Sequence, residues 1–571
     1  MNLSPNDKMA GVLAPLFALR TEDDLGIGDV AALREFIDWS RGIGFRLVQL
    51  LPINETGGDN SPYNAISSRA IDPTTLHLAP GTPVDLSAEA FAETTAGIDL
   101  KALRRGSVKY EIVKPLKKKL LERAFVAFRA GAQTDPGFAA FCETEKSWLA
   151  DYTLFRVLME LNAEHETWDA WRPEHSAIDA ARRWLDSLGE KERAPLEERR
   201  DFHNYVQWIA HRQWGDVKAY AAARGVALMG DIPFGISYYS ADVFAHPDRF
   251  ALDWSGGAPP ERYFKDDEFT QKWGQNWGIP LYRWDVMRSR NFDWWRQRVH
   301  GVREIFHLFR IDHVLGFYRI YAFPWRPQQN AEFLSLDWEE MRARTGGREP
   351  QFAPRDDRSS ENCEANKREG EDYLRVVLEE SGATRVVGED LGTVPDYMRP
   401  SLRSLGIAGF KIPQWENYPD HRSIPGRAYE RRSVATFATH DHKPVRALWA
   451  EAFEKKSDTS GQAGHDLAKM AEFAGIAPPN ESTDYAHDFY PAILGALFRS
   501  ESWIALIMIT DLLGRKERFN VPGTANGSNW TRRLHTTIGK LGRGHALHRQ
   551  LRVVHGLLMK TGRIRPQMNT D

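Results

Sequence analysis

The stretch His307–Tyr318 reads HLFRIDHVLGFY. Leu308, Arg310 and Asp312 alternate with Phe309 and Ile311. That period of two, in a segment rich in aromatic and branched residues, predicts a strand. Arg310 and Asp312 share one face of it. A guanidinium two positions before a carboxylate favours the ionised acid and pulls its pKa down. An ionised carboxylate at a strand end suits a nucleophile; the alternative is a structural Arg–Asp ion pair. Three other predicted strands end in acids: VALMGDIPF at Asp231, RVVGEDLG at Glu389 and Asp390, and VATFATHDH at Asp441. Four acidic strand ends in one chain point to one acidic site.

Working outward, strand signals fall at Gly11–Phe17, Arg46–Ile53, Val226–Phe234, Ile305–Val314, Arg385–Asp390, Ile407–Trp415, Val434–His440 and Trp503–Thr510. Helical patterns separate most of them. One follows Asp29, a good N-cap, and others span Phe292–Arg303 and Glu371–Glu380. Eight strands with intervening helices predict a single α/β chain, residues 1–571, folded as a (β/α)8 TIM barrel. Its site would lie at the carboxyl ends of the strands, where Asp231, Asp312, Glu389 and Asp441 fall. Residues 75–215 carry helical periodicity and few strand signals, which predicts a helical insertion. The basic run Lys114–Lys119 inside it reads as a solvated helix face. Residues 237–284, dense in Trp, Tyr, Phe, Gly and Pro, and 323–370 read as long loops on the active-site side. The polar stretch PRDDRSSENCEANKRE at 354–369 reads as exposed.

Composition narrows the class. The formal charge is −3 with 27% charged residues, so no strong field draws nucleic acid or a membrane surface. Two cysteines, Cys142 and Cys363, fit a reducing compartment rather than a disulfide scaffold. The start, MNLSPNDKMAG, lacks an apolar signal core, and the apolar run Trp503–Thr510 is too short to span a bilayer. The expectation is a cytoplasmic protein, monomeric or weakly homo-oligomeric. Nineteen tryptophans are available to stack on sugar rings where they lie in loops.

Two carboxyl groups facing across a cleft are the machinery of glycoside cleavage. Asp312, beside Arg310, suits the ionised role. Glu389, preceded by Val386 and Val387 and followed by Asp390, suits the protonated one, since burial and negative neighbours raise a carboxyl pKa. Asp441 is a third carboxylate able to hold hydroxyls and oppose positive charge. His440, His313 and Arg310 can donate to sugar hydroxyls. The competing chemistry is a metal at His440, His442 and Asp312–His313. Adjacent strand residues point to opposite faces, and the first strand has no His-x-His, so neither metal nor cofactor is expected.

The motifs SPYNAISSRAIDP (61–73), GDIPFGISYYSADVF (230–244), GAPP and WGQNWGIPLYRW (257–284), FRIDHVLGFYRI (309–320), GEDLGTVP (388–395), GFKIPQW (409–415), THD (439–441) and DLLGRKERFNVPGTANGSNWTRR (511–533) carry a resemblance. The chain resembles the 4-α-glucanotransferases (amylomaltases or disproportionating enzymes) of glycoside hydrolase family 77, in the α-amylase superfamily. The resemblance implies a barrel without a C-terminal β-sandwich. It implies a transferase of carbohydrate metabolism acting on starch, glycogen or maltooligosaccharides, with glucose as an acceptor. It implies Asp312 as nucleophile, Glu389 as general acid/base and Asp441 as transition-state stabiliser. Arg310 and His440 match contacts to the sugar at the cleavage point, and Asp231 matches a structural acid. Tyr63, Gln275 and Trp277 match sugar contacts, and Trp415 closes the GFKIPQW motif. The chain departs from the family in the longer link ERYFKDDEFTQK at 261–272, with Glu261 for the usual Asp, and in HKPVRALW after THD. In both it resembles variants acting on branched glucans or heteroglycans. An α-1,4-glucan hydrolase and a silent glucan-binding protein are the competing readings.

Overall fold

The computed structural model describes residues 1, 3–82, 84–131, 135–260, 267–455, 461–522 and 527–564. In chain order the strands begin β1 Met9–Leu13, β2 Leu47–Gln49, β3 Ala227–Pro233, β4 Phe250–Ala258 and β5 Gln275–Tyr282. They continue β6 Leu308–Asp312, β7 Ile320–Phe323, β8 Gln351–Ala353 and β9 Arg385–Gly388. The last three are β10 Gly409–Lys411, β11 Ser433–Ala435 and β12 Ile504–Met508.

Eight of these form one parallel sheet in the order β10-β11-β12-β1-β2-β3-β6-β9. A parallel bridge between Val387 and Ala408, with Gly388 N–H donating to Ala408 O at 2.9 Å, joins β9 to the start of β10 and closes the barrel. All eight predicted strands are there. The first is shifted: it spans Met9–Leu13, and Leu16–Ala18 form a 3-10 turn instead. Pro15 has no N–H to continue the ladder. The strands are buried on both faces, so they read as apolar runs, as in IALIM of β12. Gly230 lets β3 lie against its neighbour, since a Cβ there would sit 2.3 Å from the Phe306 ring. Among the described residues no β-sandwich follows the barrel; the chain after β12 forms the short helix Ile509–Leu512, turns, and the helix His545–Lys560.

Asp29 caps the first helix, Val30–Ile43, accepting from the N–H groups of Ala31 and Ala32. Between β2 and β3 stand the long helices Tyr110–Ala130, Pro136–Leu161 and Glu190–Ala223. Here the structure corrects the reading of Lys114–Lys119. Lys117 is buried, and its Nζ donates to Thr74 O at 2.6 Å and Leu76 O at 2.7 Å. Lys114 Nζ donates to Gly57 O at 2.8 Å. The basic run ties the helix to the chain after β2, and only its remainder is a solvated face.

The stretches read as loops are corrected too. Phe250–Ala258, Gln275–Tyr282, Ile320–Phe323 and Gln351–Ala353 form an antiparallel sheet in the order β5-β4-β7-β8. Trp273, Phe323, Trp325, Phe333 and Met341 make its core, with Trp325 stacked on Phe333 at 4.0 Å. Glycines, prolines and register shifts at Ala251/Ser255 and Gly256/Gly257 hide the alternation that would have announced these strands. Much of PRDDRSSENCEANKRE is helical: Ser359 caps a helix that runs from Ser360 to Ser381.

At the amino end of the barrel Arg563 is buried, with no carboxylate in contact among the described residues. Its Nε donates to Phe498 O at 2.6 Å, Nη1 to Met9 O at 2.8 Å, and Nη2 to Ser500 O at 2.9 Å and Ser502 O at 3.1 Å. These carbonyls flank β1 and β12. Each buried acceptor left unpaired costs about 1–3 kcal/mol. Arg563→Met should therefore lower unfolding stability by about 3 kcal/mol or more in urea denaturation. Arg563→Lys, with three donors in place of a five-donor fork, should recover only part of that.

Candidate active site

Asp231 on β3 and Arg310 on β6 are register partners. Arg310 Nε donates to Asp231 Oδ1 at 2.9 Å and Nη2 to Asp231 Oδ2 at 2.8 Å. The same Nη2 reaches Asp312 Oδ1 at 2.6 Å and Tyr63 Oη at 3.2 Å. The Tyr63 hydroxyl donates to Asp231 Oδ2 at 2.7 Å. Residues i and i+2 of a strand share a face, which is why Arg310 and Asp312 meet. Arg310 and Asp231 are buried, while the Asp312 side chain is 29% exposed. Burial pushes Asp231 up to about 6, and the donors around it keep it ionised at neutral pH. Burial and the Asp231 charge push the Tyr63 phenol well above its ordinary value.

Glu389 follows the end of β9, the neighbour of β6. The N–H of His313 donates to its Oε2 at 2.9 Å. His313 has a left-handed backbone, φ 47°, uncommon for a residue with a side chain. Burial, then the charge of Asp312, pushes Glu389 up to about 8. Asp390 contributes little, which corrects its expected part: its Oδ1 accepts from Phe410 N–H at 2.6 Å and its Oδ2 from Arg399 Nε at 3.1 Å. Asp312, across the strand pair, is the negative neighbour that matters.

Asp441 lies in the chain beyond β11. His440 Nε2 sits 3.2 Å from its Oδ2, and Asn520 Nδ2 donates to its Oδ1 at 2.6 Å. Arg518 donates to its backbone carbonyl. The His440 ring stacks on Tyr63 at 5.0 Å and 7°. Burial and Arg310 push His440 down to about 3, so it is neutral here. Burial likewise takes His313 down to about 4. Asn520 and Arg518 were not singled out from the sequence, although both lie in the matched motif 511–533.

Trp277, 39% exposed, meets His313 edge to face at 4.7 Å and donates from Nε1 to Gln275 Oε1 at 3.1 Å. Trp415, 40% exposed, meets His442 at 5.0 Å. Tyr63, Asp231, Arg310, Asp312, His313, Glu389, His440 and Asp441 thus form one connected cluster, with Trp277 and Gln275 joined to it through His313. Trp415 reaches it through His442, the residue after Asp441. His442 Nδ1 lies 2.8 Å from Thr439 Oγ1, away from His440's stack on Tyr63. Among the described residues no group of three or more His, Cys, Asp or Glu side chains is placed to hold a metal ion. Glu261 and residues 262–266 of the long link lie outside the described residues.

A family model described as 4-alpha-glucanotransferase matches residues 14–538. The chain belongs to the 4-alpha-glucanotransferase family. A 4-alpha-glucanotransferase of Chlamydia caviae is 31% identical over 546 residues, covering 93% of this chain and 91% of that protein. One from Thermus thermophilus is 29% identical, covering 88% of this chain and 90% of that protein. The structure of an amylomaltase from Streptococcus agalactiae in complex with acarbose has a TM-score of 0.72 at 21% identity, covering 98% of this chain and all of that one. An amylomaltase from Corynebacterium glutamicum has a TM-score of 0.73 at 18% identity, covering 96% of this chain and 75% of that one. Those two likenesses bear on the fold, which is the amylomaltase barrel. Members of the family are enzymes acting on α-1,4-glucans.

The electrostatics of the family's barrel in this chain can be tested directly. Because the Asp312 charge raises Glu389, Asp312→Asn should move the Glu389 titration to lower pH, read by carboxyl infrared difference spectra against Glu389→Gln. An unmoved titration would show that Glu389 does not feel Asp312.

Proposed function

We propose that this member of the 4-alpha-glucanotransferase family cuts an α-1,4-glucan with retention of configuration and passes the piece to the 4-hydroxyl of glucose or another glucan. The observation that carries the reading is the contrast between two carboxyl groups at adjacent strand ends. Asp312 accepts a charge-assisted hydrogen bond from Arg310 at 2.6 Å, whereas Glu389 is buried and pushed up to about 8. At neutral pH Glu389 therefore holds its proton, and the His313 N–H on Oε2 leaves Oε1 to carry it.

In the first step an Asp312 oxygen bonds to the anomeric carbon as the bond to the leaving 4-oxygen breaks, and the Glu389 proton goes to that oxygen. In the second step Glu389 takes the proton of the acceptor 4-hydroxyl as its oxygen displaces Asp312. Asp441, held by Asn520 and His440, opposes the positive charge that develops on the sugar ring. Arg310 and Asp231 fix the nucleophile. Tyr63 and His440 present an aromatic wall, Trp277 and Trp415 offer exposed surface to sugar rings, and the half-buried Gln275 accepts from Trp277 Nε1. We assign the barrel, the helical insertion and the small sheet to one catalytic unit that works in the cytoplasm as a monomer or weak homo-oligomer.

Transfer rather than hydrolysis requires that water lose to a sugar at the glycosyl-enzyme, at about 1.4 kcal/mol per tenfold in rate. Trp273 is fully buried and donates to Phe333 O at 2.9 Å, so it anchors the small sheet. Trp277 is exposed beside His313 and is free to stack an acceptor glucose, orienting its hydroxyl for attack.

Pure maltotriose should give a ladder of longer glucans plus glucose. Glucose and maltose alone would mean hydrolysis, and unchanged maltotriose would mean binding only. Asp312→Asn should abolish turnover with the fold kept. Glu389→Gln should retain its first step on an α-glucosyl fluoride, whose leaving group needs no proton; equal loss on fluoride and maltotriose would remove Glu389 from the acid role.

Trp277→Ala should raise the ratio of hydrolysis to transfer, measured as free reducing ends beside total transfer. An unchanged ratio removes Trp277 from acceptor binding. For the native enzyme kcat/KM should fall as pH rises through about 8, where Glu389 loses the proton that the leaving group needs.

A further inference from the structure

His442 stands one residue beyond Asp441, and the reaction proposed above makes no use of it. Its ring is fixed along one edge. The backbone N–H of Thr439 points at Nδ1 at 3.1 Å, and Thr439 Oγ1 lies 2.8 Å from the same nitrogen. The ring also meets the Trp415 indole edge to face at 5.0 Å. The loop that carries Trp415 is tied to the chain before Thr439, because Gln414 Nε2 donates to Phe437 O at 2.7 Å. Trp415 and His442 therefore belong to one short framework beside Asp441.

A backbone N–H can point only at an acceptor. Nδ1 of His442 thus carries no proton, and the neutral ring holds its hydrogen on Nε2. Protonating the ring would set an N–H against the N–H of Thr439. Burial pushes His442 down to about 4, so the ring is neutral at neutral pH. Among the described residues no group accepts from Nε2, and the half-buried ring leaves that atom at the surface. His442 is therefore a neutral donor held in one orientation, next to an indole that is 40% exposed.

We propose that His442 is a specificity-determining residue: its Nε2–H donates to a hydroxyl of the glucan ring that packs on Trp415. That ring is the neighbour of the one at the cleavage point, which lies against Asp312, Asp441 and the wall of Tyr63 and His440. A pyranose has an apolar face edged by hydroxyls, and an indole face with one fixed donor beside it matches that pattern. The inference rests on the glucan reading proposed above.

Two variants separate the donor from the ring's structural bond. His442→Asn keeps an acceptor near the Nδ1 position for Thr439 and removes the donor. His442→Gln places an amide N–H near the Nε2 position. Affinity for maltoheptaose is measured by titration calorimetry in the Asp312→Asn background, where the chain is not consumed. His442→Asn should bind about fivefold more weakly, the size of one neutral hydrogen bond, and His442→Gln should recover most of the loss. With Asp312 intact, the first-step release of fluoride from α-glucosyl fluoride, which fills only the site of the reacting sugar, should stay the same in His442→Asn. A maltoheptaose-soaked crystal of Asp312→Asn should show a sugar oxygen within hydrogen-bond distance of Nε2.

Equal maltoheptaose affinity in His442→Asn and its parent would overturn the assignment, as would a soaked crystal with no sugar at Nε2. A fluoride step that falls as far as the affinity would overturn it too, since His442 would then act through Asp441. The proposed reaction fails separately. A native chain that binds maltoheptaose but leaves maltotriose unchanged removes the reaction, and the affinity comparison still decides His442. A native chain that binds no maltoheptaose overturns both.

Discussion

The site depends on one buried guanidinium. Arg310 bonds both oxygens of Asp231, one of Asp312 and the hydroxyl of Tyr63, so a single planar group joins β3, β6 and the loop after β2. A cation out of water is tolerable only when paired and hydrogen-bonded, and two carboxylates so close are tolerable only around a cation. Removing one partner of such a set costs about 3–5 kcal/mol, because the others are left buried and uncompensated. An ammonium group cannot replace it, since its donors radiate from one atom and cannot span Asp231 and Asp312 in a plane.

The two central carboxyl groups differ in what they touch. Asp312 is on the same strand face, two residues on, and receives an N–H directly. Glu389, one strand over, receives only a backbone N–H while facing the Asp312 charge in a buried setting. The parallel register of β6 and β9 brings the pair to neighbouring strand ends. One barrel and one arginine therefore give two neighbouring carboxyl groups unlike surroundings.

The barrel and the acid cluster were legible in the sequence because parallel strands buried on both faces show as apolar runs and the acids stand at their ends. Where packing partners are distant in sequence, the signal fails. The small sheet is built around strands such as FALDWSGGA and QNWGIPLY, broken by Gly and Pro, and its core joins Trp273 to Phe333 and Met341. Lys117 looks like any surface lysine, because the carbonyls that capture it, Thr74 and Leu76, lie about forty residues earlier. Asn520 is invisible as a partner of Asp441 for the same reason, being 79 residues away. His313 was readable as a donor, but not that its backbone rather than its ring would hold Glu389.

Three separate insertions also meet in one seam. Trp168, from the chain between β2 and β3, stacks on Tyr238 at 5.3 Å and 8°. Arg326, beyond β7 of the small sheet, lies over the Tyr238 ring at 4.6 Å and donates to Asp169 at 2.9 Å and to Tyr239 Oη at 3.1 Å. A half-exposed stack of this kind contributes about 0.5–1.5 kcal/mol, and an exposed cation–π contact about 0.5–1 kcal/mol. The exposed ion pair adds about 0–1 kcal/mol. The seam as a whole is therefore weaker than the Arg310 cluster. Rigidity is thus concentrated at the strand ends, where Arg310 ties β3, β6 and the loop after β2 together, while the insertions meet one another through contacts of a few kcal/mol.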